Sequence, residues 1–209
     1  MGIRKAATAV VAGLALGVFS TVSALDMSAG ISGSFATDFG GGMGDKSSNP
    51  WIGGGFNAFF DITYAEIGVG MAFAAMDSKY DGDKLNDEST SLMYLNFSAL
   101  GKYPIALASN MTLAPMVGID YALCLSAKYD GNDIFEHNDD YDAIDMSQFW
   151  IKLGAGMDIA LNEKIYIRPA LLYGIGFPSK INSDAADAAN VDANISHGLT
   201  IKAGIGYRF

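Results

Sequence analysis

The stretch SHGLTIKAGIGYRF, residues 196–209, decides the fold. From Leu199 onward the odd positions are apolar or aromatic, whereas the even positions are small, polar or charged. The odd positions hold Leu199, Ile201, Ala203, Ile205, Tyr207 and Phe209. A period of two places the two kinds of side chain on opposite faces of a β-strand. The stretch therefore predicts a strand with one apolar face and one polar face.

Seven further segments alternate in the same way along the preceding chain. They cover residues 27–39, 51–62, 65–75, 90–100, 112–124, 147–161 and 165–177. Long polar loops and short joints separate them in turn, and the loops cover residues 40–50, 76–89, 125–146 and 178–194. The main local objection is Pro115, because proline donates no hydrogen bond to a sheet. The pattern predicts eight strands joined by four long loops and three short turns.

Composition limits the classes of protein that fit this pattern. The chain has 209 residues, of which 50% are hydrophobic and 17% are charged. After the N-terminal segment, no apolar run is long enough for a membrane helix. The net charge of −10 argues against a nucleic-acid partner, which would require a basic surface. The single cysteine, Cys124, cannot form a disulfide within the chain.

Residues 1–24 have the pattern of a secretory signal peptide. Arg4 and Lys5 precede an apolar run over residues 6–19, and small residues follow up to Ala24. We predict cleavage after Ala24 and a mature domain over residues 25–209. Cleavage removes two of the 13 basic residues, which leaves 11 basic and 23 acidic residues and a mature charge of −12. The mature chain is expected to be exported.

The arrangement predicts an all-β fold, an eight-stranded antiparallel up-and-down transmembrane β-barrel. Aromatic residues fall near the ends of the predicted strands, as two interfacial girdles require. Those on the loop side are Phe39, Trp51, Phe73, Phe149 and Phe177, and those on the turn side are Tyr64, Tyr103, Tyr207 and Phe209. The opposite strand face consists mainly of glycine and charged residues, which are too small and polar for the core of a soluble sandwich.

The terminal strand resembles that of outer-membrane β-barrels, which carry a terminal aromatic residue after alternating apolar positions as an assembly signal. The mature chain resembles the small porin-like barrels of the OmpA transmembrane, OmpX and OmpW type. Residues 59–68 (FFDITYAEIG) and 95–105 (LNFSALGKYPI) also resemble small outer-membrane proteins of spirochaetes. The resemblance implies a place in the outer membrane of a Gram-negative-type envelope. It also implies that Ile205, Tyr207 and Phe209 are recognised by the barrel-assembly machinery.

The predicted inward face carries a balanced set of charges. Its acids are Asp61, Glu66, Asp120 and Asp158, and its bases are Lys152, Arg168, Lys202 and Arg208. Asp158 and Arg168 are equally distant from Glu163, so a hairpin centred there would place them opposite each other. An eight-stranded lumen is only wide enough for its own side chains. We predict an ion-paired plug and no wide pore, with a polar solute path as the alternative.

The predicted outer loops hold most of the acidic residues. Residues 77–88 match a calcium-loop pattern at the first, fifth, sixth and twelfth positions, but Lys79 occupies the third position. The alternative is a set of solvated loops or loops that bridge to lipopolysaccharide. The phrase Lys-Tyr-Asp-Gly occurs at residues 79–82 and 128–131, and its Asp-Gly pair suits a tight turn. We expect no bound metal and no cofactor.

The sequence contains no evident catalytic constellation. His137 lies in an acidic loop, whereas His197 follows Ser196 on the membrane-facing parity, with no acid placed near it by spacing. We therefore expect no enzyme. The preferred function is a structural or surface-interaction scaffold whose acidic loops meet an extracellular ligand or host surface. The alternative is a narrow channel or transporter for small or apolar solutes, which resembles the OmpW type. We expect contacts with outer-membrane lipid and a monomer, because a closed barrel needs no partner.

Overall fold

The computed structural model describes residues 26–85, 89–136 and 141–209. The predicted signal peptide lies outside these residues. Eight long strands form one closed antiparallel sheet, in which each strand pairs with its neighbours in sequence and the last pairs with the first. They are β1 (Met27–Asp38), β2 (Trp51–Ile62), β3 (Ala65–Met76), β4 (Thr90–Lys102), β5 (Met111–Tyr129), β6 (Gln148–Ala160), β7 (Ile165–Gly176) and β8 (Ser196–Arg208). The predicted eight-stranded up-and-down barrel is confirmed.

The apolar face of each strand forms the outside of the barrel. Ile31, Phe56 and Leu171 are 65%, 59% and 55% exposed, although each is strongly hydrophobic. Closure of the sheet pairs the backbone groups between strands, which is the condition for crossing a bilayer with strands. An exterior of this kind is stable against lipid and unfavourable against water. The barrel is therefore a transmembrane barrel, and its core is the lumen.

Aromatic side chains surround both rims. Tyr64 stacks on Tyr103 at the end with the short turns, with ring centroids 6.4 Å apart. The other rim aromatics are also exposed, and they are Phe39, Phe73, Phe149, Phe177, Tyr207 and Phe209. The prediction for Trp51 is wrong, because Ile52 and Phe56 face lipid and the strand period turns Trp51 inward. Its ring lies 6.2 Å from that of Trp150, edge to face, inside the lumen.

Pro115 lies on the lipid-facing side of β5 and disturbs the sheet little. Its carbonyl oxygen accepts a hydrogen bond from the Tyr103 N–H at 3.1 Å. In a strand, the N and O of one residue point to the same side. The nitrogen of Pro115 therefore points towards the residues that follow the end of β4. The sheet loses no hydrogen bond between β4 and β5 there. After Pro104, a short strand, Ile105–Ala108, pairs with the beginning of β5.

The hairpin of β4 and β5 extends beyond the membrane further than the sequence predicts. β5 continues to Tyr129 because its end pairs with β4 and buries Ala127 and Cys124 against Leu92. Asp130-Gly131 closes the turn that follows, and both residues have positive φ, 49° and 77°. A two-residue turn of this hand matches the twist of the flanking strands, and Asp-Gly is its preferred sequence.

The other Lys-Tyr-Asp-Gly phrase, at residues 79–82, forms the same kind of turn. Asp81 and Gly82 have φ of 54° and 91°, between the short strands Lys79–Tyr80 and Asp83–Lys84. A third short strand, Ser47–Ser48, pairs with them in a small sheet beyond the barrel. The two predicted tight turns are confirmed.

Helix α1 (Lys180–Ala189) replaces part of the loop predicted over residues 178–194. The Ser179 hydroxyl accepts a hydrogen bond from the Asn182 N–H at its beginning, and Asn190 ends it in the left-handed conformation. Ser179 and Asn190 are residue types that favour the beginning and the end of a helix, and the segment between them is rich in alanine. This pattern could have predicted the helix from the sequence. A 3-10 turn, Ala143–Met146, precedes β6. Among the described residues, no helix is long and apolar enough to cross a membrane.

Candidate functional site

Arg168 on β7 is the centre of an ion-pair network in the periplasmic half of the lumen. Its Nη2 donates to the Asp158 carboxylate at 2.7 Å, and its Nε donates to the other oxygen of the same group. Its Nη1 lies 2.5 Å from Glu66 and 2.6 Å from Asp61. The Arg168 side chain is 6% exposed. One guanidinium thus joins carboxylates from β2, β3 and β6.

Two lysines complete the network. Lys102 lies 2.6 Å from the Asp61 carboxylate, and Lys202 lies 3.3 Å from Glu66. Sequence reasoning missed Lys102 because it assigned the residue to the joint after β4. The strand continues for two more residues, and Lys102 shares the inward parity of the buried Leu100. The network contains three acids and three bases and is formally neutral, and we call it the plug.

Aromatic rings pack around the plug. The Arg168 guanidinium lies 5.5 Å from the Phe59 ring centroid and 5.1 Å from that of Tyr166. The Tyr166 hydroxyl is 2.8 Å from the Ser28 hydroxyl on β1. The Arg208 guanidinium also lies over the Tyr166 ring, 4.8 Å from its centroid. Arg208 makes no ion pair within the described chain. The plug and these rings therefore block the lumen in its periplasmic half, and a recess of about 310 Å³ lies between them and the periplasmic rim.

Two further charges of the predicted inward set, Asp120 and Lys152, form an ion pair above the plug. Its oxygen and nitrogen are 2.7 Å apart. A cavity of about 70 Å³ adjoins the pair and extends towards the extracellular mouth. The Oδ1 atoms of Asn96 and Asp120 are buried here without a hydrogen-bond partner in the described structure. A polar cavity of this size accommodates a few water molecules, which would satisfy both atoms.

The extracellular loops are tied together into one cap. Lys46 of the first loop pairs with Asp81 of the second at 3.2 Å. The Asn194 side chain in the fourth loop donates to the Gly44 carbonyl in the first at 2.7 Å. Lys180 at the start of α1 pairs with Asp145 of the 3-10 turn at 3.0 Å. The Lys180 ammonium lowers the pKa of Asp145 through this hydrogen bond, and Asp145 raises the pKa of Lys180.

A second cavity, of about 220 Å³, lies between the cap and the barrel mouth, and we call it the roof cavity. Trp51 and Tyr94 form part of its floor and also line the smaller cavity below. Apolar side chains of the cap form its upper wall, and they include Ile134, Phe135, Met146 and Ile181. The lumen is therefore closed at the periplasmic half and roofed at the extracellular end.

Asp77, the first carboxylate of the predicted calcium loop, contacts a lysine and a serine of its own loop. Asp77 lies 2.9 Å from the Lys84 ammonium and accepts a hydrogen bond from the Ser89 hydroxyl at 2.5 Å. These contacts lower the pKa of Asp77, with the Ser89 hydrogen bond as the largest cause. Residues 86–88 of the pattern lie outside the described chain. Within the described chain, no group of three or more His, Cys, Asp and Glu side chains is arranged to hold a metal ion.

Ser196 and His197 do not form a catalytic pair. Adjacent residues of β8 face opposite sides of the sheet, so Ser196 is buried in the lumen and His197 lies outside. The His197 Nδ1 is 2.6 Å from the Tyr173 hydroxyl, and the two rings stack. The other histidine considered, His137, lies outside the described residues. The pair of His197 and Tyr173 belongs to the aromatic belt at the extracellular rim.

The residues of the predicted assembly signal are on the lipid-facing side. Ile205 and Tyr207 lie on the outer face of β8. The Phe209 ring stacks on Phe60 of β2 with centroids 6.4 Å apart and also contacts Tyr207. It therefore reaches across β1 to the next strand. Recognition by the assembly machinery stays a prediction.

No protein-family profile and no curated protein matches the sequence. Solved structures with a similar fold include neisserial surface protein A, at 14% identity and a TM-score of 0.49, covering 90% of this chain and all of that one (100%). The Yersinia pestis protein Ail, solved with a heparin analogue, has 15% identity, coverage of 88% and 97%, and a TM-score of 0.42. Pseudomonas aeruginosa OprG has 15% identity, coverage of 87% and 95%, and a TM-score of 0.43. The closed sheet and its lipid-facing exterior make this chain a small eight-stranded β-barrel of the outer membrane.

Proposed function

We propose that the protein is a surface-interaction scaffold, in which a sealed barrel anchors the extracellular cap. The observation that carries this proposal is the neutral plug around Arg168. Each of its carboxylates contacts at least one cation, and the side chains are almost fully buried. A permeating ion would have to separate these pairs, which leaves buried charges uncompensated at a cost of several kcal/mol. The barrel is then an anchor and not a route for bulk solutes.

The cap is the part available to a partner. Its loops are joined by ion pairs and hydrogen bonds, so its shape is defined before a partner arrives. Its acidic residues outnumber its basic ones, which favours a partner with a basic surface, on a host or within the envelope. In this proposal the protein is a monomer. It contacts outer-membrane lipid and is inserted by the barrel-assembly machinery.

Planar-bilayer recording of the pure protein tests the sealed barrel. We expect no large, stable conductance from the wild type. Arg168→Ala removes the centre of the plug, and we expect brief current steps from that variant. Large, stable conductance from the wild type would refute the sealed scaffold.

The partner-binding part requires a separate measurement. Cells that display the wild type should bind basic surfaces more strongly than cells that display the double variant Asp83→Asn and Asp130→Asn at equal surface levels. Both residues are exposed, and neither belongs to the ion pairs that hold the described part of the cap together. Equal binding would argue against a charge-based contact through these loops. The two carboxylates lie in different loops, so the single variants separate the contribution of each loop.

A narrow channel for small or apolar solutes is the second candidate. The two cavities above the plug favour it, because together they extend from the cap into the middle of the lumen. Uptake of labelled small solutes into protein-loaded liposomes separates the candidates. The scaffold predicts uptake equal to that of empty liposomes, whereas the channel predicts saturable uptake that increases in Arg168→Ala.

A further inference from the structure

Asp38 is a buried acid without a counter-ion. It is the last residue of β1, faces the lumen at the extracellular end, and is 1% exposed. Neither carboxylate oxygen has a hydrogen-bond partner in the described structure. The other inward strand carboxylates, Asp61, Glu66, Asp120 and Asp158, each contact a lysine or arginine. Burial of a carboxylate in this state is unfavourable unless a cation or a proton compensates it.

Aromatic groups surround Asp38 on the side of the roof cavity. The polar groups that lie near the carboxylate are the Ser196 hydroxyl, the Trp51 indole and the backbone N–H groups of Phe39 and His197, and none of them meets the geometry of a hydrogen bond with it. Trp51, Tyr94 and Ser196 all line the roof cavity. Asp38 therefore lies directly behind the floor of a cavity whose other walls are largely apolar.

We propose that the roof cavity binds a small organic cation, a primary ammonium group on a compact apolar body. The ammonium group contacts the Trp51 and Tyr94 rings and the Ser196 hydroxyl, and Asp38 supplies the counter-charge behind them. Aromatic rings attract cations, most strongly where water is excluded. The apolar body fills the space beneath Phe135 and Ile181. An apolar cavity of about 150 Å³ already binds benzene, so the roof cavity of about 220 Å³ has room for one substituted ring.

The charges around the site favour a cation over an anion. Lys152 and Lys202 lie deeper in the lumen and are each engaged by an acid, so neither neutralises Asp38. The acid-rich cap raises the local concentration of cations at the mouth. The first turn of α1 also lines the cavity, and its dipole opposes a cation. That dipole is only a partial charge, whereas the ionised Asp38 carboxylate is a full charge.

Three ligands of one size test the proposal, namely benzylammonium, benzyl alcohol and benzoate. The full mature protein is placed in lipid nanodiscs, and the fluorescence of its two tryptophans, Trp51 and Trp150, is excited at a wavelength that the ligands do not absorb. Calorimetry on the same samples gives an independent affinity. We expect a saturable response to benzylammonium and at least tenfold weaker binding of the other two.

Two substitutions assign the charge. Asp38→Asn should weaken benzylammonium binding at least tenfold and reduce its preference over benzyl alcohol. Asp187→Asn makes the same change at an exposed position of α1 and should leave both unchanged. Heat-dependent migration on gels checks that both variants are folded, and the ligand comparison in the wild type holds even if Asp38→Asn does not fold. Equal binding of the alcohol, tighter binding of benzoate, or no saturable response would each overturn the proposal.

Discussion

Arg168 donates two hydrogen bonds to the carboxylate of Asp158, from Nε and from Nη2. The two residues are opposite each other on the hairpin of β6 and β7, in the register that pairs Gly156 with Ala170. Two parallel hydrogen bonds between a guanidinium and a carboxylate form the strongest kind of ion pair. The other guanidinium nitrogen remains free to reach Glu66 and Asp61 across the lumen. One hairpin pair therefore holds the side chain that joins both sides of the barrel.

Arg168→Met should destabilise the barrel strongly. The change leaves three buried carboxylates with two lysines, and breaking a buried ion pair costs about 3–5 kcal/mol. Urea unfolding in lipid vesicles measures the free energy of unfolding. Arg208→Met is the matched control, since Arg208 contacts the Tyr166 ring and no acid, and it should cost less than about 1 kcal/mol. Equal losses in the two variants would show that the plug does not stabilise the barrel.

Gly206 provides the space for the Tyr166 ring. A Cβ added at Gly206 would lie 2.2 Å from the Tyr166 Cζ, and the surrounding sheet leaves the ring little room to move. Gly206→Ala should destabilise the barrel by about 1–3 kcal/mol, as overpacked cores do. Gly33→Ala adds the same methyl group on the lipid-facing side, where the nearest atom is 4.0 Å away. A loss of stability in Gly33→Ala as large as in Gly206→Ala would disprove the packing explanation.

The ion pair of Lys180 and Asp145 should hold α1 against the 3-10 turn in a pH-dependent way. Lys180 lowers the pKa of Asp145, so the contact stabilises the cap above the ordinary carboxyl pKa and is lost as the pH falls through the lowered value. At neutral pH, the α1 amides should exchange hydrogen faster in Lys180→Gln than in the wild type. Exchange followed by mass spectrometry should give equal protection in both proteins once Asp145 is protonated. A difference that persists at low pH would assign the effect to packing instead of charge.

Phe209→Ala should slow insertion of the barrel by the assembly machinery. The Phe209 ring lies on the lipid-facing side and contacts Phe60 on β2, so its loss removes an exposed aromatic group and a contact across β1. The rate at which the heat-sensitive folded band appears in vesicles that contain the machinery measures insertion. Lys202→Ala changes the inward face of the same strand and should leave that rate unchanged while lowering stability. If both variants insert equally slowly, β8 is not divided into an assembly face and a lumen face.

The sequence predicted most of the charged residues that face the lumen, and one of their pairs, because strand parity is a local property. In β8, a period of two separates Ile205 from Lys202, and symmetry about Glu163 is enough to bring Asp158 to Arg168. Parity alone could not choose partners among the carboxylates of different hairpins. Parity predicted Arg208 as the fourth base of the inward set, but Arg208 contacts the Tyr166 ring and not a carboxylate. Lys102 pairs with an inward acid in its stead, because β4 continues past Leu100.

The cap shows what local patterns leave open. Asp-Gly at residues 81–82 and 130–131 specified its turns, because few other residue pairs adopt that backbone. The extension of β5 to Tyr129 depended on burial of Ala127 against Leu92, which are distant in sequence. The isolation of Asp38 likewise depends on which side chains from other strands approach it. The sequence alone determined the barrel, its eight strands and their two faces, since these follow from alternation within each segment. Only the tertiary structure decided the charge partners, the roof cavity and the unpaired acid, because each depends on distances between strands.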